Sequence, residues 1–172
     1  MGGSQPERYQ AMLQDVVQAV LVTPSLDARG KKDGFPILYN LNDLGLQFIY
    51  SSLHTNSKLL ATQRDLVQRF VAAMAESVYF VEKNPDKAKA SLGRELKLSD
   101  PDSLESAYNA YARLLVNRRM VAPARLVTEA VDIARETGTK IKRSASELFD
   151  NGFAEELDKN GFLRELWGAE LR

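Results

Sequence analysis

The chain has 172 residues, 44% of them hydrophobic, and is therefore long and apolar enough to bury the core of one ordinary domain. Its 23 basic and 23 acidic residues cancel, and this balance argues against a surface for nucleic acid or for an acidic membrane. The sequence contains no cysteine, which excludes thiolate chemistry. His54 is the single histidine, so a zinc site or a histidine-based triad would need carboxylates in every other position, which is uncommon. We expect no enzyme activity, no cofactor and no metal ion.

The first residues predict a helix that leads into a strand. Ser4 and Glu7 have the spacing of a capping box, in which each residue satisfies the other's backbone amide at the start of a helix. Apolar residues then recur every three or four positions from Tyr9 to Val16, as on one buried helix face. The run Ala19 to Val22 has the length and β-branching of a buried strand, which Thr23-Pro24 ends.

A small sheet is the next prediction. Leu26 to Lys32 favours a short helix that Gly34 stops, while Ile37 to Tyr39 and Leu46 to Leu53 are rich in branched and aromatic residues. Three short strands interleaved with helices predict an α/β fold.

From residue 56 onward the pattern is helical. Asn56 and Thr62 are candidate caps before a helix of about twenty residues with one apolar stripe. Proline and glycine then punctuate a series of shorter helices. One of these helices is predicted from Asn84-Pro85 to Leu96, and two more are predicted to begin at Asp100-Pro101 and at Pro123. The last two are predicted at 153–159 and 162–167, separated by a left-handed Gly161.

The order of these pieces resembles the substrate-binding proteins of the nitrate, sulfonate and taurine group of ABC transporters, whose fold is also that of thiamine-pyrimidine synthases. The fragments that carry the resemblance are GGSQPER at 2–8, AVLVTP at 19–24, NPD at 84–86, DNGF at 150–153 and NGF at 160–162. Asp15 departs from the family's pattern, because it stands where a glycine commonly makes the turn before the strand.

The resemblance implies a type 2 periplasmic-binding-protein-like fold, here truncated and mostly helical with a small sheet of short strands. Members of the family have about twice this length and two lobes, each of ordinary domain size. We therefore expect residues 1–24 to be the remnant of the second lobe with its hinge, and residues 25–172 to be the C-terminal part of the first lobe.

The function that the resemblance implies is capture of a small molecule and its delivery to an ABC permease. The intact protein would then be periplasmic, although the chain as written has no signal peptide and no apolar run of about 20 residues that could span a membrane. An unpaired edge of the small sheet would favour a homodimer.

Three segments supply candidate ligand contacts, each with a plainer explanation. The loop before the first helix could bind an anion through free amides, or Ser4 could simply cap the helix. The hinge residues could offer hydroxyls to a ligand in the cleft, or the proline between them could simply end a strand. Tyr50 and Ser51 lie on the third predicted strand, where Tyr50 could present its ring face to a ligand, but both are equally well explained as core or sheet surface. The candidates are Gly3, Ser4, Gln5, Thr23, Ser25, Tyr50 and Ser51.

Other polar residues favour structural roles. His54 is expected to be a loop residue rather than a catalytic group or a metal ligand. Glu95, Asp100, Asp102 and Glu105 form an acidic cluster, but they lack the glycine-centred spacing of a calcium loop, and acids near helix N-termini explain them better.

Two other functions stay open. A thiamine-pyrimidine-synthase-like enzyme would share the fold, but those enzymes use a cysteine-rich motif that is missing from this chain. A truncated helical domain with no ligand of its own would expose apolar surface and associate with itself.

Overall fold

A computed structural model describes residues 3–22, 24–44, 49, 52–114 and 117–171 of the chain. Within these ranges the backbone forms α-helices and three short 3-10 turns, at Leu41–Leu44, Ala145–Glu147 and Gly168–Glu170. The α-helices are α1 (Gln5–Leu13), α2 (Pro24–Lys32), α3 (Ser57–Thr62), α4 (Arg64–Lys83), α5 (Pro85–Leu96), α6 (Pro101–Leu114), α7 (Ala124–Glu136), α8 (Gly152–Lys159) and α9 (Phe162–Trp167).

The predicted α/β fold with a small sheet is wrong, because the described residues contain helices and turns but no strand. Residues 19–22 and 37–39 lack regular structure, and the third predicted strand lies largely outside the described residues. β-Branching fits a residue to a strand, but a strand also needs a neighbour that takes up its backbone hydrogen bonds. The predicted dimer contact through a sheet edge loses its basis for the same reason.

The chain divides into two compact units, of which the first comprises Met1–Leu44 and Asn84–Arg113. Its buried residues include Tyr9 on α1, Ala88 on α5 and Ala107 on α6. Gly93 marks a close approach, since a Cβ there would lie 3.0 Å from the carbonyl oxygen of Leu98 and 3.3 Å from a Leu104 methyl group. Glycine therefore lets α5 turn tightly into the segment that leads to α6.

The second unit comprises Gly45–Lys83 and Leu114–Arg172, and its core joins α4, α8 and α9. Ala75, Leu157 and Leu163 are buried at the centre, with Leu163 fully inaccessible to solvent. The Asn151 side chain fixes the loop before α7, because it accepts from the Ala122 amide at 2.9 Å and donates to the Ala122 carbonyl at 3.0 Å. The division predicted from the sequence, into residues 1–24 and 25–172, stays a prediction.

Helix ends follow the sequence signals closely. The capping box at Ser4 is present, and the Asn56 side chain accepts a 2.8 Å bond from the Leu59 amide at the start of α3. Gly161 is left-handed, with φ of 86°, between α8 and α9 as predicted. Thr62 was wrongly predicted as a cap, since it is the last residue of α3 and its hydroxyl donates to the Lys58 carbonyl.

The turn at Asp15 ends the first helix early. Asp15 adopts φ of 56°, the left-handed conformation for which glycine is usual, and α1 stops at Leu13. Val16 is consequently 61% exposed instead of continuing the buried face of the helix. Aspartate tolerates this conformation better than most residues with a Cβ, so the substitution for glycine keeps the turn.

Among the helices in the described part of the chain, none combines the length and apolar character needed to cross a membrane.

Candidate ligand-binding site

The N-terminus of α1 holds three of the predicted ligand contacts, Gly3, Ser4 and Gln5. Ser4 is extended, with φ of −66° and ψ of 163°, and its amide donates to a carboxylate oxygen of Glu7 at 2.6 Å. The Gly3 carbonyl accepts a 2.7 Å bond from the Arg8 guanidinium. The chain therefore satisfies this helix start with its own side chains.

Glu7 occupies the position that an anionic ligand would use. The bond from the Ser4 amide, followed in importance by a bond from the Ser4 hydroxyl, lowers the pKa of the Glu7 carboxyl below its ordinary value. Gly3 has φ of 116°, and a Cβ on it would stand 3.0 Å from Glu7 Oε2. An anion at Ser4 would have to displace this carboxylate, and the predicted contacts at Gly3, Ser4 and Gln5 stay predictions.

The remaining four predicted contacts lie wholly or partly outside the described residues. Ser25 belongs to α2, which begins one residue earlier at Pro24, and only its backbone is described. Thr23, Tyr50 and Ser51 lie outside the described residues. Their roles stay predictions.

Tyr9 lies on the buried face of α1, as the sequence predicts, but the sequence reasoning missed its polar partner. Tyr9 is 3% exposed, and its hydroxyl donates to Asp33 Oδ2 at 2.5 Å. Burial, together with the bond to Asp33 and its negative charge, raises the pKa of Tyr9 to about 12. The Arg29 guanidinium carbon lies 5.7 Å from the centre of the Tyr9 ring and opposes part of that rise. The three residues link α1 to the end of α2.

The acidic cluster near α6 forms ion pairs within the first unit. Lys32 pairs with Asp100 and, at 2.9 Å, with Asp102, while Asp100 also accepts a 2.8 Å bond from the Ser103 amide. These bonds, led by the one from Lys32, lower the pKa of Asp100 to about 2. Glu105 pairs with Lys89 on α5. Within the ranges that the structure describes, no group of three acids or histidines could hold a metal ion.

His54 lies on an exposed segment before α3, where its Nε2 is 2.9 Å from the Ser52 hydroxyl. This contact is local, between residues two apart in the sequence. It fits the expectation of a loop residue.

A second polar cluster lies in the second unit, around Arg118. This guanidinium contacts Glu82 Oε1 on α4 at 2.5 Å and also donates to the backbone carbonyl of Glu170. Arg118 Nε, Glu82 Oε2 and Trp167 Nε1 are buried, and no described residue bonds to them. Lys83 binds both carboxylate oxygens of Glu170 at 2.7 Å. The cluster ties the end of the chain to α4 and gives the arrangement a structural role.

Comparison with known proteins adds one finding about identity. Neither the curated proteins nor the solved structures gave a significant match to the chain. A family model described as NMT1/THI5 like matches residues 4–88, just under half of the chain, from the capped start of α1 into α5. Residues 4–88 are thus similar to the NMT1/THI5-like family, whose members include nitrate, sulfonate and taurine binding proteins and thiamine synthases.

Proposed function

We propose that the chain is part of the solute-binding component of an ABC transporter, and that it serves to capture a small molecule such as a sulfonate, nitrate or taurine. The observation that carries the proposal is the family match over residues 4–88. The match fits a substrate-binding role or a thiamine-synthase-like role, and the composition of the chain favours the first.

The proposed protein binds without making or breaking a bond. Affinity would come from a few polar groups that converge on a ligand, and closure around the ligand would present the complex to the permease. Capture of an external solute places the intact protein in the periplasm or outside the cell. If the loop from Gly3 to Gln5 contributes, its amides bind the ligand only after the Glu7 carboxylate moves away from Ser4.

A thiamine-synthase-like enzyme is the second candidate, because the matched family includes such enzymes. Their chemistry uses a cysteine-rich motif together with histidine and lysine. The chain contributes no cysteine, and its one histidine, His54, lies on an exposed segment with its Nε2 beside the Ser52 hydroxyl. These features support binding over catalysis.

Calorimetric titration of the chain with taurine, nitrate, aliphatic sulfonates and pyrimidines tests the proposal. We expect heat of saturable binding from at least one of the anions, and a rise in melting temperature with the same ligand. Sodium chloride at equal ionic strength is the control for general salt effects. A folded chain that binds none of the anions would overturn the proposal, and binding of a pyrimidine alone would favour the enzyme.

The DNA upstream of the Met1 codon offers a separate test. A reading frame that continues upstream into a signal peptide supports the receptor. A frame that continues into a cluster of cysteines supports the synthase and contradicts the receptor.

A further inference from the structure

Helix α4 carries a second apolar stripe, which faces solvent. Leu66, Phe70 and Phe80 are 44%, 55% and 46% exposed, and Ala73 and Ser77 between them are also exposed. From Leu66 to Phe80, successive residues of the stripe are four, three, four and three positions apart in the sequence. That alternation is the seam of a coiled coil, in which apolar side chains meet a partner helix every half-heptad.

The opposite side of α4 packs on the core of the second unit. Ala75 and Val78 are buried, and Val71 and Ala72 pack on the core formed with Leu157 and Leu163. The exposed stripe is therefore additional to the face that holds the unit together. An amphipathic helix of a single unit needs only one such face.

The one polar residue within the stripe is satisfied internally. The Ser77 hydroxyl donates to the Ala73 carbonyl at 2.7 Å, one helical turn back. Ser77 can therefore enter an apolar contact without losing a hydrogen bond to water.

We propose that a second copy of this chain covers the stripe, with the two α4 helices antiparallel and crossing at Ala73. A two-fold axis there places Leu66 of each copy opposite Phe80 of the other, and small Ala73 side chains let the backbones approach. Such a contact is self-complementary, as two-fold symmetry requires.

The charges beside the stripe fit this arrangement. Arg69 and Glu76 are exposed, flank the same side of the seam, and form no ion pair or hydrogen bond with the residues that the structure describes. In the antiparallel pair Arg69 of each copy lies beside Glu76 of the other copy, so the dimer has two such charge pairs. Parallel helices in register would instead place Arg69 beside Met74, and the charges would stay unpaired.

A groove of about 550 Å³ lies where the partner's Phe70 would enter. Ala73, Glu76, Ser77 and Phe80 line one wall, and Leu166 of α9 contributes to the other. Four residues at these intervals form the hole that receives one side chain of a facing helix. The register set by the charges therefore also places an aromatic side chain against an apolar groove.

The expected dimer is weak, because one 20-residue helix per copy makes an interface at the small end of specific contacts. Sedimentation equilibrium from low to high micromolar concentration of the full chain is the direct measurement. We expect the weight-average mass to rise from 19.2 kDa toward twice that value. The dimer does not depend on which solute the chain binds.

Charge exchange tests the register. Arg69→Glu and Glu76→Arg each replace two attractive contacts by two repulsive ones, and each should weaken the dimer about tenfold. The double variant restores both pairs in reversed order and should recover most of the parental affinity. Arg94→Glu makes the same charge change at an exposed position of α5 and should leave the dimer unchanged.

Ala73→Glu tests the crossing point, since it would bring two carboxylates together on the two-fold axis. The position is exposed, so the variant is expected to fold with unchanged circular dichroism and to remain monomeric. A parental chain that stays monomeric at every concentration would overturn the proposal. So would a dimer that tolerates both Arg69→Glu and Ala73→Glu.

Discussion

The guanidinium carbon of Arg118 lies 4.7 Å from the centre of the Trp167 ring, and the centres of the Tyr79 and Trp167 rings are 5.0 Å apart with their planes at 79°. The tryptophan is 4% exposed. The same guanidinium is 2.5 Å from Glu82 on α4. One side chain therefore holds the last helix of the chain against α4 by both a cation–π contact and an ion pair.

Removal of Arg118 is predicted to loosen this end of the second unit. Arg118→Ala would leave the partly buried Glu82 without its cation and Trp167 without its covering group. We expect a loss of about 1–3 kcal/mol in the free energy of unfolding. Chemical denaturation followed by tryptophan fluorescence measures both effects, and the emission of folded Trp167 should move to longer wavelength.

Two variants separate stacking from charge. Arg118→Lys keeps the charge but loses the planar group, so it should recover only part of the stability. Arg125→Ala removes an exposed pair with Glu129 on α7 and should cost about 0.5 kcal/mol or less. Equal losses for Arg118→Ala and Arg125→Ala would contradict the role given to Arg118.

The centre of the second unit is predicted to depend on Leu163. This residue is fully buried beside Ala75 and Leu157, so Leu163→Ala opens a cavity and should cost about 2–5 kcal/mol. Leu148→Ala is the matched control, because Leu148 is 46% exposed and its loss should change stability little. The denaturant concentration at the midpoint of unfolding is measured for both variants. Similar midpoints would contradict the central position of Leu163 in the core of the second unit.

Alkaline pH is predicted to destabilise the first unit through Tyr9. The folded pKa of about 12 is above the ordinary value of 10, so the neutral phenol stabilises the fold below pH 10 and this contribution is lost as pH rises toward 12. For a residue so well buried the loss amounts to ~2 kcal/mol. Unfolding free energies measured across this range should fall less steeply for Tyr9→Phe.

Tyr39→Phe makes the same substitution at an exposed position and serves as the matched control. The raised pKa values of Lys32, Lys83 and Lys89 add their own alkaline losses, which remain in both variants. The Tyr9 contribution is thus the difference between the two slopes. Identical slopes for the two variants would show that Tyr9 ionises as freely in the folded chain as in the unfolded one.

Glu7→Gln is predicted to open the start of α1 to anions. Glutamine keeps the size of the side chain but removes the negative charge beside the Ser4 amide. In the variant, sulfate should then shift the amide resonances of Gln5 and of position 7 more strongly than it does in the parental chain, because the helix dipole favours an anion there. Nuclear magnetic resonance titration at constant ionic strength measures the change.

A matched control exists at Ser144, whose amide and hydroxyl both donate to Glu147 at 2.9 and 2.6 Å. This box precedes a 3-10 turn of three residues, which has almost no dipole. Glu147→Gln should therefore gain no sulfate binding. If Glu7→Gln behaves in the same way as Glu147→Gln, the predicted anion contact at Ser4 is wrong.

The sequence identified most helices because their signals are local. Asn56 caps α3 three residues before its bonded amide, Pro85 and Pro101 each occupy the first helical position, and Gly161 supplies a positive φ. These signals act over one helical turn, so a window of a few residues contains all that is needed to place the helix end.

The sheet could not be decided in the same way. Ala19 to Val22 has the composition of a strand, but strand formation depends on backbone partners that are distant in the sequence. Likewise, nothing in the sequence links Lys32 to Asp100, or Arg118 to Trp167, because each contact joins residues about 50 or more positions apart. Sequence reasoning named the acidic residues near α6 without their cation.

The sequence by itself determined most of the helix boundaries of this protein, and it indicated the family that residues 4–88 match. The tertiary structure decided that the apolar runs at 19–22 and 37–39 remain irregular, that Glu7 fills the helix start proposed for an anion, and that α4 exposes a second stripe. The physical reason is range: caps and periodicity act within a turn or two of helix, whereas burial and charge pairing depend on what the folded chain brings together.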